Sequence, residues 1–63
     1  MTFSNEAIKL GRIQVHAEAC LNNVQNLTER DVREWLLPVC ARENVNSRNF
    51  EWLADTVTRK LVK

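Results

Sequence analysis

Apolar residues recur at three- and four-residue spacings along most of this chain, and three such stripes follow one another. The first, from Asn5 to about Val24, consists of Leu10, Ile13, Ala17, Cys20, Leu21 and Val24, with Ser4 as N-cap and Glu6 in the first turn. The second is Val32, Trp35, Leu36, Val39 and Cys40. It follows Thr28-Glu29-Arg30-Asp31, where a hydroxyl and a carboxylate three residues on can each satisfy a free amide at a helix start. Pro38 falls on the opposite, more polar side, where a missing amide predicts a kink rather than an end. Beyond a polar turn at 44–47 the third stripe is Phe50, Leu53, Ala54, Val57 and Leu61, with Ser47 as its expected cap and Lys60 and Lys63 suited to its C-terminal dipole. The predicted helices cover approximately 5–24, 29–43 and 48–62, and no Val- or Ile-rich alternation suggests a strand. The expected fold is all-α, a small three-helix bundle in a single domain spanning residues 1–63.

Size and charge narrow the function classes. A 63-residue chain buries only about 60% of the surface its unfolded form exposes, so a deep catalytic pocket would consume core it needs. No enzyme activity and no cofactor are expected. Nine Lys and Arg against eight Asp and Glu give a net charge of +1, so no global field draws the protein to nucleic acid or an anionic membrane. Two cysteines are too few for a disulfide scaffold, and the N-terminal residues show no cationic segment leading into an apolar one, which makes the cytoplasm the expected address. The longest apolar run, Trp35 through Ala41, is seven residues, far short of the roughly 20 that span a bilayer. No membrane association is expected.

The informative side chains are those the stripes leave over. Ile8, Val15 and Ala19 line up on the first helix nearly opposite its core stripe, flanked by Arg12 and Asn22. Leu37 and Ala41 are similarly off-stripe on the second. A helix with apolar residues on two sides is sandwiched between neighbours, and a three-helix monomer offers few. The second side is therefore expected to meet another copy, making the protein a homodimer through Ile8, Val15 and Ala19. The competing interpretation is scattered surface apolars, which are common. Gly11, the only glycine, costs about 1 kcal/mol relative to Ala inside a helix, so it is expected to admit the close approach of another helix.

Candidate chemistry is thin. His16 and Cys20 sit four apart, and Cys40 and Glu43 three apart, so a mixed zinc site can be drawn, but the paired short-spaced ligands of structural zinc sites are missing. A Cys and His nucleophile pair would need an activated thiol and an oxyanion site, and no Gly-rich loop exists to cradle phosphate. No catalytic, cofactor-binding or metal residue is assigned.

The third helix carries the sharper expectation. Arg48, Trp52, Thr56, Arg59 and Lys63 share one side opposite the core stripe. Arg48, Trp52 and Arg59 are assigned as a contact for a protein partner, with Trp52 as the aromatic anchor. The competing interpretations are that Arg48 or Thr56 covers the indole, or that Trp52 fills a dimer contact. Nucleic acid is less favoured, because Glu51 and Asp55 interrupt this side and the turn Glu43-Asn44-Val45-Asn46 lacks the Gly common in helix-turn-helix corners. A small helix-turn-helix-like DNA-binding regulator remains the alternative, since the second helix, turn and third helix have suitable lengths.

The segments Leu10-Gly11-Arg12-Ile13-Gln14-Val15-His16-Ala17-Glu18-Ala19-Cys20 and Glu34-Trp35-Leu36-Leu37-Pro38-Val39-Cys40-Ala41 resemble a small protein encoded in the exo-to-xis region of lambdoid bacteriophages. The resemblance covers the whole chain in length and carries no functional residue with it. It implies an early-expressed accessory phage protein, made in the host bacterial cytoplasm, that acts on an unidentified host or phage protein.

Overall fold

The computed structural model describes residues 4–63, and within them the chain forms three helices and no strand: α1 at Asn5–Leu21, α2 at Glu29–Arg42 and α3 at Ser47–Leu61. Each start has a local cause. The Ser4 hydroxyl accepts the Ala7 amide at 3.1 Å. Thr28 and Asp31 form a reciprocal capping box, in which the Asp31 amide donates to Thr28 Oγ1 and the Thr28 amide donates to the Asp31 carboxylate. At α3 the cap lies one residue earlier than expected. Asn46, not Ser47, accepts the Asn49 amide through its side chain, at 2.8 Å, and Ser47 becomes the first helical residue. An amide oxygen caps as well as a hydroxyl, so the preceding extended backbone at Asn46 decides between two adjacent candidates.

The ends differ more. α1 stops at Leu21 rather than Val24, and Val24 is exposed beyond it, its amide donating to the Leu21 carbonyl in a turn. α2 runs without interruption through Pro38, which is exposed, and ends at Arg42. Its exit is a Schellman turn. The Asn44 amide donates to the Ala41 carbonyl at 3.3 Å and the Val45 amide to the Cys40 carbonyl at 2.9 Å, with Asn44 at φ +58°. The left-handed residue that the turn requires is thus an asparagine, and the absence of glycine there is no obstacle.

Contacts between side chains show the helix directions. Lys9 donates to the Glu43 carbonyl at 2.8 Å and Arg12 to the Glu43 carboxylate at 2.9 Å, so the start of α1 lies against the end of α2. These cations also cover a helix end where carbonyls are left over. Asn49 donates to Glu6 at 3.0 Å, and Lys60 lies 3.5 Å from Glu18. Start meets start and end meets end, so α1 and α3 run side by side in the same direction while α2 runs back across both.

The core is Ile13, Ala17, Leu21, Val32, Leu36, Cys40, Leu53, Ala54 and Val57, with Leu10, Trp35, Val39, Phe50 and Leu61 packed around it. No polar or charged residue is buried among the described residues. Two predicted core members are misplaced: Cys20 and Val24 are exposed. Cys20 lies at the edge of the α1 stripe, whose centre holds the buried Ile13, Ala17 and Leu21, and Val24 lies beyond the last helical residue.

Candidate functional site

The two residue sets singled out on the first and third helices fall on one side of the molecule. On α1, the side chains meeting α2 are Lys9 and Arg12, and those meeting α3 are Glu6 and Glu18. Gly11 and Val15 therefore lie past the α3 contact, away from α2, with Ile8 and Ala19 further round. On α3, Asn49 and Lys60 face α1, while Phe50 and Glu51 face α2 through Arg33. Trp52 lies past the α1 contact, again away from α2, with Arg48 and Arg59 further round. The α1–α3 face thus presents Ile8 at 59% exposure, Val15 at 65% and Trp52 at 49%. Ala19, Arg48 and Arg59 are also exposed.

The two contacts between these helices also fix their level. Glu6 pairs with Asn49 and Glu18 with Lys60 at nearly the same sequence offset, which places Trp52 between the levels of Ile8 and Gly11. A Cβ at Gly11 would meet nothing within 4 Å. The expected close helix approach at Gly11 is therefore not made by any helix among the described residues.

The charges on the face are partly spoken for. Arg59 Nε lies 3.2 Å from Asp55, one turn back. Arg48 and Lys63 form no ion pair among the described residues. Among the described residues no cation lies over the Trp52 ring; the cation-π contact present is Arg33 over Phe50, at 5.8 Å. The indole is open to solvent rather than covered by Arg48.

A second feature escaped the sequence reading. An open groove of about 480 Å³ between α2 and α3 is lined by Glu29, Arg30, Arg33, Glu34, Leu37 and Phe50. It continues past Leu37 and Phe50 into a hollow of about 260 Å³ beside Ala41 and Val45. Leu37 and Ala41 were already legible as off-stripe apolars. Phe50 counted only as core, because a helical wheel cannot show that one edge of a packed ring is left bare.

His16 and Cys20 are exposed on α1, whereas Cys40 is buried on α2 and its thiol is pushed up by burial. Among the described residues no three His, Cys, Asp or Glu side chains gather as metal ligands, and no helix is long and apolar enough to cross a membrane. The chain has no significant match to a protein-family model, a curated protein or a solved structure.

Proposed function

We propose that this protein is a non-enzymatic, all-helical interaction module that associates with itself and with a bacterial or phage protein through the α1–α3 face. Ile8, Val15 and Ala19 serve self-association, and Arg48, Trp52 and Arg59 beside them meet the partner. One observation carries the reading: Ile8, Val15 and Trp52 stand exposed on the neighbouring helices α1 and α3 of a bundle whose core is already closed. A chain this small has little apolar surface to leave in water unless a second surface covers it. The resemblance to a phage accessory protein fits a role as a regulator in the host cytoplasm.

Sedimentation equilibrium at micromolar concentration tests the reading. A dimer is expected, and Val15→Glu dissociates it by placing an unpaired carboxylate in the contact while the helices stay folded. A strict monomer overturns the self-association. Capture from a bacterial lysate, with and without nuclease, then asks whether a protein is recovered and whether Trp52→Ala loses it.

The Schellman turn favours a second reading, a small helix-turn-helix-like DNA-binding regulator. Asn44 supplies the left-handed corner residue between α2 and α3. Its signature is duplex binding that weakens steeply with salt. Absence of duplex binding at low salt disposes of it.

A further inference from the structure

We infer that two copies of this chain pair through the α1–α3 face with their helices parallel, so that Trp52 of each copy seats over Gly11 of the other. The inference rests on the interaction-module reading and alters one part of it. Trp52 goes to the second copy rather than to an outside protein, and Arg48 and Arg59 flank the contact.

A projection and a recess occupy the same face at the same level. Trp52 projects from α3 between the levels of Ile8 and Gly11, and a Cβ at Gly11 would meet no side chain and no other helix within 4 Å among the described residues. A two-fold axis parallel to the helices lays α1 of one copy against α3 of the other without changing level. Each indole then meets the Gly11 backbone of the other copy, with Ile8 and Val15 to either side, and the contact is made twice by symmetry. Tryptophan packed into a desolvated recess is a favoured interface anchor.

Charge selects this arrangement and this occupant. The exposed side of α3 carries Arg48, Arg59 and Lys63, with Asp55 among them. An antiparallel pairing would lay α3 against α3 and bring those cations together. The parallel pairing instead brings the Arg59 and Lys63 end of α3 to the level of Glu18 on the other copy's α1. Glu18 receives Gln14 and Lys60 of its own chain through Oε2 alone, which leaves Oε1 without a partner among the described residues. Basic α3 against Glu18 of α1 is a complementarity of the chain with itself, which is why the occupant is a second copy.

The test compares wild type, Gly11→Leu, Trp52→Ala and an equimolar mixture of the two variants by sedimentation. Circular dichroism is expected to show each variant folded, because position 11 has open space and Trp52 is half exposed. Each variant alone dimerises at least tenfold more weakly than wild type. The mixture associates one to one, more tightly than either variant alone, since it keeps one intact Trp52–Gly11 contact and sets the introduced leucine against the shortened side chain. If wild type dimerises but the mixture is no better than its components, the Trp52–Gly11 contact is overturned and the module reading survives. A wild type that stays monomeric at every concentration overturns both.

Discussion

Arg33 on α2 holds Glu51 on α3 through two parallel hydrogen bonds, Nη1 to Oε2 at 2.9 Å and Nη2 to Oε1 at 2.7 Å. Its Nε lies 3.2 Å from Glu29 on its own helix, and its guanidinium stands 5.8 Å above the Phe50 ring. This bidentate geometry ties the second helix to the third along the rim of the apolar groove. It also holds the Glu51 carboxyl below its ordinary value of 4.5.

A carboxyl whose folded pKa is depressed contributes stability that is present above its ordinary value and lost as pH falls through the lowered one. Glu6 behaves alike, lowered first by its bond from Lys9 and then by that from Asn49. Stability is therefore expected to decline from about pH 4.5 downward. Glu51→Gln is expected to be less stable at neutral pH and to lose less on acidification. Urea midpoints measured against pH for wild type, Glu51→Gln and Glu6→Gln check this. An acid limb unchanged in both variants would refute the assignment. Both pairs lie at the surface in contact with water, so added salt weakens them.

Asn44 carries the exit from α2 at φ +58°. Asn44→Val is expected to cost about 1–2 kcal/mol, because a β-branched side chain resists the left-handed region. Asn44→Gly should be at least as stable as wild type. Thermal unfolding of the pair decides, and equal losses in both would mean that the Asn44 side chain, not its backbone, matters.

Neighbouring leucines on α2 have opposite fates. Leu36 is wholly buried and Leu37 is 61% exposed. Leu36→Ala is expected to cost about 2–5 kcal/mol, a large share of a total of roughly 3–9 kcal/mol for a chain of this length. Leu37→Ala stays folded. Chemical denaturation of the two variants is the measurement.

The cysteines divide likewise. Cys20 is exposed, whereas Cys40 is buried with its thiol pushed up by burial. A thiol reagent under native conditions should modify Cys20 promptly and Cys40 only at the rate of unfolding. Two equally fast reactions would show that α2 does not pack as described.

The stripes made the helices and most of the core legible, because burial on one side of a helix leaves a period that can be counted. Thr28 and Asp31 announced the second helix for a similarly local reason. Cys20 and Val24 carry the apolar period of α1 yet stay exposed, Cys20 at the edge of the stripe and Val24 beyond the last helical residue. Asn46 caps α3 in place of the expected Ser47, because its extended backbone lets its side-chain oxygen reach the Asn49 amide. At the candidate site, Ile8, Val15, Ala19 and Trp52 could each be recognised as surplus to the core. The groove beside Phe50 could not, since it exists only between two helices.

What the chain determines by itself is local: where helices start, which side of each is apolar, and which residues are left over. These follow from hydrogen-bond chemistry and side-chain spacing within a few residues. Only the tertiary structure decided that α1 and α3 run side by side, because that depends on Glu6 reaching Asn49 and Glu18 reaching Lys60 across more than 40 residues of chain. That pairing brings the seam on α1 and Trp52 on α3 onto one surface and leaves the Gly11 backbone open beside them.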